Sequence, residues 1–245
     1  ENLSREFVRG KNQFYAVDHV NLEVEEKELV AIMGQSGSGK STLFHMLTGI
    51  LKPTEGKITV LDHEIEKMND RQLSVLRGGD LGYIMQGQNL LQNLTVMENL
   101  KLMCGVHGLS KEETRARAQA LCEEFELGEV VKRKAGKLSG GWQRRLSIAM
   151  ALTGDPEILF LDEPTLGLDV IARSELWDTV RALKGKKTII LTTHYMEEAE
   201  ELSDRVGIMR GGKLLALGTA NELKALAGKE KFEDAFVAIV KGEKK

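Results

Sequence analysis

The residues with the plainest chemical meaning stand in unbroken order from Gly34 through Gln35, Ser36, Gly37, Ser38, Gly39, Lys40 and Ser41 to Thr42. This run matches the pattern of a phosphate-binding loop. Its glycines let the backbone turn so that successive N–H groups point inward at phosphate oxygens. Lys40 supplies a point charge between the β- and γ-phosphates, and Ser41 offers a hydroxyl to Mg²⁺. Far downstream, apolar Ile158, Leu159, Phe160 and Leu161 run into two acids, Asp162 and Glu163. Asp162 is the candidate for holding a magnesium hydration shell, and Glu163 for polarising an attacking water as general base. Such a pair alone fits a solvated strand end equally well; beside the phosphate loop it reads as the second half of a site that hydrolyses a nucleoside triphosphate.

Both features need particular elements to present them. The loop follows a compact apolar run over 28–33, which suits a strand buried on both faces. It precedes a helix read over 42–49, whose positive dipole end adds to the anion site. The run over 158–161 drives its two acids to the carboxyl edge of the sheet, where open α/β sheets bind ligands. Further strand-type runs lie at 17–24, 57–61, 81–85, 188–193 and 206–209. Their alternation with helical patterns predicts a largely parallel sheet covered by helices. From about 87 to 155 strand signals vanish. Helices are expected there over 94–107 and 110–125, the second with Ser110 as N-cap. Residues 219–240 read as helices again. The expected fold is α/β: a phosphate-loop NTPase core, an N-terminal antiparallel β subdomain and an inserted helical subdomain.

Composition narrows the class. The net charge of -3, from 34 basic and 37 acidic residues, gives no global reason to expect nucleic acid as a partner. Cys104 and Cys122 cannot form a disulfide framework or a metal-ligand spacing, so both are expected as buried thiols of a reducing compartment. No apolar run reaches the length of a membrane span, and the polar start shows no signal peptide. The chain does not begin with Met. Work on a membrane would require spanning helices from another polypeptide.

Between the two features lies Leu138, Ser139, Gly140, Gly141, Trp142, Gln143. Ser139 is placed to cap a helix whose first turn, at Gly140 and Gly141, leaves its N–H groups bare as a second anion site. Trp142, Leu146, Ala149 and Met150 form an apolar packing stripe. This run resembles the signature motif of ABC ATPases, with Trp142 where the family more often has Gln. With the phosphate loop and the acidic strand in the family's order, the resemblance covers essentially the whole chain. It implies an ATPase core over 1–86 and 156–220, a helical subdomain over about 87–155 and C-terminal helices over 219–245. It also implies ATP and Mg²⁺ as cofactors and a head-to-tail dimer, of two copies or with a paired ATPase, in which each signature loop closes on the other subunit's ATP.

Other positions follow from the resemblance one at a time. Gln86 resembles the Q-loop glutamine, which touches the magnesium shell and the transporter interface; Gln88 is the competing choice. Asp169 resembles the D-loop aspartate and equally suits a helix N-cap. The preceding Leu166 and Gly167 depart from the family's commoner Ser-Ala. His194 resembles the switch histidine that contacts the γ-phosphate. An adenine needs an aromatic partner; Phe7 and Tyr15 are the candidates, and position favours Phe7, with Tyr15 as a core residue.

The absence of a long coiled coil and of a second ATPase unit favours a transporter subunit over the alternative, an ABC-type ATPase acting on nucleic acid or ribosomes. The family then implies a transmembrane permease as partner and a peripheral location on the cytoplasmic face of the membrane. Thr193 to Glu200 and Phe232 to Phe236 resemble efflux-type subunits. Phe14 to Val17 and the phosphate-loop region resemble the lipoprotein- and peptide-export group. Export is the expected direction.

Overall fold

The computed structural model describes residues 1–10, 12–85 and 90–242. The chain opens with an antiparallel pair, β1 (Leu3–Arg9) and β2 (Asn12–Val20), in which Leu3 lies opposite Val20 and Phe7 opposite Phe14. β2 therefore starts earlier than the alternation over 17–24 predicts, and it stops at Val20. The limits come from the partner strand: Leu22 and Val24 lie past the end of β1 and outside any strand. β3 (Leu29–Met33) is buried at every residue and feeds α1 (Lys40–Leu47), which begins two residues before the helix start read from sequence. A short hairpin, β4 (Thr59–Val60) and β5 (His63–Glu64), precedes α2 (Asp70–Gly79) and β6 (Leu81–Ile84). The helices α3 (Val96–Val106), α4 (Lys111–Glu124) and α5 (Gly140–Ala151) follow, then β7 (Ile158–Asp162) and α6 (Val170–Leu183). The chain continues through β8 (Thr188–Thr193), α7 (Met196–Leu202), β9 (Arg205–Arg210), β10 (Lys213–Gly218), α8 (Ala220–Ala227) and α9 (Phe232–Lys241).

The chain forms two compact units, one of residues 1–74 with 188–245 and one of residues 75–187. In the first, β3 pairs in parallel with both β8 and β9, and β10 adds antiparallel to β9. β3 and β8 are buried throughout; β3 is a continuous apolar run, and β8 sets Ile189, Ile190 and Leu191 between buried threonines, so neither alternates. β10 carries the apolar run Leu214 to Leu217, but only Gly218 of the strand is fully buried, and it follows β9 through the Gly211–Gly212 turn, a hairpin dipeptide.

In the second unit β6 and β7 pair in parallel, Leu81 opposite Ile158 and Ile84 opposite Leu161. The helices begin where capping chemistry dictates. Thr95 with Glu98, and Ser110 with Glu113, form reciprocal capping boxes at α3 and α4. Asn99, fully buried in α3, donates from its amide to the carbonyls of Leu91 (3.2 Å), Leu94 (3.3 Å) and Thr95 (2.9 Å). Its Oδ1 accepts from the Leu91 N–H at 2.9 Å. A turn without regular structure is thereby held to the helix, with its buried polar groups satisfied.

Candidate functional site

In the first unit the phosphate loop leaves the end of β3. A Cβ on Gly34 would stand 2.5 Å from the Met209 carbonyl oxygen, and one on Gly39 would stand 2.2 Å from that of Ala16. Gly39 also takes φ 104°. Neither position can carry a side chain without moving backbone. Gly39 is the N-cap of α1 and brings no side chain to the helix start, so the first-turn N–H groups remain available to an anion. Lys40 is buried, and its Nζ donates to the carbonyls of Gly34 (2.7 Å) and Gln35 (3.2 Å). Gln35, Ser36, Gly37 and Ser41 face solvent, Thr42 is half-buried, and Ser38 is buried with its N–H donating to Gln35 O at 3.1 Å.

The strand register brings His194 to this loop. Met33 pairs with Thr193, so Gly34 and His194 are the residues that next leave the two neighbouring strands. His194 is exposed, its ring 4.2 Å from that of Tyr195. Of the aromatic candidates, half-buried Phe7 is already engaged: Phe14 stacks on it at 5.9 Å and the Arg5 guanidinium lies 4.9 Å from its centroid. Tyr15 is 41% exposed and is not the core residue expected. β2 is an outer strand of a two-stranded pair, which leaves one of its faces to solvent. The backbone of Tyr15 and Ala16 packs against Gly39 and Gly212.

In the second unit Asp162 is the buried last residue of β7. Tyr83 lies on the adjacent strand opposite Phe160. Its burial, together with the negative charge of Asp162, pushes the phenol well above the usual tyrosine range. Glu163 follows with φ 47°, in the left-handed region that non-glycine residues seldom occupy. Asp169 caps α6, its Oδ1 accepting from the Ala172 N–H at 2.9 Å.

Ser139 requires a correction. It holds the N-cap position of α5 with φ -65° and ψ 162°, nearly the backbone of Ser110, yet its hydroxyl makes no capping bond. Ser110 has Glu113 to complete a reciprocal box, whereas α5 opens on Gly140, Gly141 and Trp142. Both Ser139 and Gly140 are exposed. A Cβ on Gly140 would lie 3.2 Å from Leu168, and one on Gly141 3.1 Å from Ala172. The small residues thus let the start of α5 rest against the segment that carries Asp169.

Arg144 had no sequence signal apart from its charge. It is buried in α5, and its Nη1 donates to the Met85 carbonyl at 3.3 Å, tying that helix to the residue before Gln86. Gln86 and Gln88 themselves lie outside the described residues.

A buried parallel strand, a glycine-closed loop, a lysine folded into it and an uncapped helix start define a phosphate-loop nucleotide-binding α/β protein. Residues 17–166 match the family described as ABC transporter. The chain is 40% identical over 219 residues to the daunorubicin resistance ATP-binding protein DrrA3 of Streptomyces coeruleorubidus, covering 89% of this chain and 68% of that one. It is 35% identical over 243 residues to the probable multidrug ABC transporter ATP-binding protein YbhF of Escherichia coli strain K12, covering 97% of this chain but 41% of that one. Among solved structures, the dimeric post-hydrolysis state of the ATP-binding cassette MJ0796 bound to ADP and Pi matches with a TM-score of 0.81 at 32% identity, covering 89% of this chain and 97% of that one. The chain belongs to the ABC transporter family as an ATP-binding cassette, and its enzymatic class is ATPase.

Proposed function

We propose that this chain powers a membrane exporter as one half of a head-to-tail dimer closing on two ATP molecules. The observation that carries the reading is the start of α5, where an exposed Ser139 makes no capping bond and two glycines follow, as a second anion site would require. The dimeric state of the MJ0796 cassette and the drug-resistance and multidrug names of DrrA3 and YbhF support it. In this reading a transmembrane permease carries the cargo path; no helix among the described residues is long and apolar enough to cross a membrane. The chain then acts as a peripheral protein on the cytoplasmic face.

Within that reading the phosphate loop grips the nucleotide through its backbone N–H groups and Lys40. The family resemblance assigns Ser41 and Asp162 to Mg²⁺. Both are hard oxygen donors, and among the described residues no cluster of three or more His, Cys, Asp or Glu side chains competes as a cage. Bound there, the ion would neutralise charge on the β- and γ-phosphates. Glu163 takes a proton from the attacking water, His194 contacts the γ-phosphate, and Gln86 and Asp169 carry the state of the site to the permease and to the partner subunit. Replacement of Ser139 by Arg tests the sandwich: turnover falls about 10²–10³-fold, the loss typical of one anion-stabilising site, while ATP affinity stays within about threefold. Turnover that survives this change sinks the dimeric reading.

The adenine partner is assigned to Tyr15. Position alone favours Phe7, but that ring is occupied by Phe14 and Arg5, whereas Tyr15 is open and adjoins the residue packed on Gly39. Stacking on an aromatic contributes about 1–3 kcal/mol. Tyr15→Ala therefore weakens ADP binding by about tenfold in a calorimetric titration, and Phe7→Ala leaves it nearly unchanged. The reverse order returns the role to Phe7.

A further inference from the structure

The underside of the phosphate loop rests on the turn between β9 and β10. The Gly212 N–H donates to the Ser38 carbonyl at 3.0 Å, and the Gly212 carbonyl accepts from the Asp18 N–H at 2.9 Å. The Met209 carbonyl fills the space that a side chain at Gly34 would need. Both ends of the loop are thus in contact with a four-residue segment, Met209 to Gly212. Gly211 and Gly212 adopt φ 56° and 81°, so the segment holds its shape through two left-handed residues.

One side chain of this turn reaches outward. Arg210 donates from Nη1 to the carbonyl of Val240, in the last turn of α9. Terminal helix carbonyls lack an intrahelical donor and carry the negative end of the helix dipole, so a guanidinium is well matched to them. A cavity of about 80 Å³ lies at this junction, lined by Gln35, Ser36, Gly37 and Ser38 on one side and by Arg210 and Val240 among others on the opposite side. The loop is therefore not packed solid from below at its crest. Its backing at the crest depends on how the turn is held.

We propose that Arg210 is a positioning residue for the ATPase reaction: by tying the β9–β10 turn to the end of α9, it holds the phosphate loop in the shape that receives the phosphates. Loop amides that are already aligned bind without a further ordering cost. Loss of the tie raises that cost at the binding step. It does not touch the groups assigned to bond cleavage, Glu163 and His194. The effect consequently falls on KM and on nucleotide affinity and spares kcat. The inference rests on the chain's use of ATP. Failure of that premise would appear as absent binding in the unaltered protein, and failure of the inference as unaltered binding in the variant.

The test compares the full chain with Arg210→Ala and Arg210→Lys, measuring ATPase rate against ATP concentration, ATPγS affinity by calorimetry and melting temperature without nucleotide. Arg210→Ala raises KM and the dissociation constant by about threefold to tenfold with kcat within about twofold. Arg210→Lys restores most of the affinity, since an ammonium also satisfies a helix-terminal carbonyl. The side chain is exposed, so folding is preserved and the nucleotide-free melting temperature changes little. Affinity within experimental error of the unaltered protein overturns the proposal. So does an equal loss in both variants, or a fall in kcat that tracks a lowered melting temperature.

Discussion

Glu163→Gln retains ATP and loses phosphate release by about 10²–10⁴-fold, the contribution expected of a positioned general base. The substitution is nearly isosteric. It keeps a β-unbranched side chain at the unusual φ of 47° and so leaves the backbone as it is. What it removes is the basic oxygen. A residue held in a sparsely populated conformation at the end of a fully buried strand is a place where geometry is maintained against a local cost, as functional positions commonly are. Because cleavage of the γ-phosphate is what reopens the proposed sandwich, the variant accumulates closed. Size-exclusion chromatography with Mg²⁺ and ATP should then show a species of twice the mass that the unaltered protein does not sustain. Phosphate release within about twofold of the unaltered rate would remove Glu163 from this role.

Lys40→Met weakens ATP binding by about tenfold to a hundredfold, the equivalent of one charge-assisted hydrogen bond at about 1.5–3 kcal/mol. Methionine keeps an unbranched apolar stem in a buried position and deletes only the ammonium, which makes it a cleaner change than alanine. The lysine has a second task. Its Nζ donates to the Gly34 and Gln35 carbonyls, so it also closes the loop upon itself. Two carbonyls therefore lose a charged donor, and the nucleotide-free melting temperature falls as well. A titration with labelled ATP read beside a melting curve separates the two contributions. Affinity that survives the substitution would show that the backbone amides hold the phosphates without the charge.

Local chemistry made much of this molecule legible before any coordinates. The strand–loop–helix around Lys40, the apolar strand ending at Asp162, and the capped starts of α4 at Ser110 and α6 at Asp169 were all readable. Each is written in contiguous residues whose own conformational preferences and hydrogen-bonding groups specify the element. The limits of β2 were not readable, because they depend on an antiparallel partner strand that begins at Leu3, opposite Val20. β10, with its apolar residues 214–217, was legible in principle, its clearest signal being the two-glycine turn at Gly211 and Gly212 that joins it to β9. The burial of Arg144, by contrast, was invisible, since its guanidinium enters the core where the carbonyl of Met85, distant in the chain, awaits it.

The same division holds at the site. Residue order alone determined that the chain carries a phosphate loop, a signature run and an acidic strand in the family's sequence, because each of these is a short string with its own chemistry. Only the tertiary structure decided that Tyr15 lies open beside the loop, that Ser139 leaves its hydroxyl out of the helix cap, and that β3 and β8 deliver Gly34 and His194 side by side. The exposure of Tyr15 and the register of β3 with β8 are set by residues distant in the chain, and no string of neighbours encodes them.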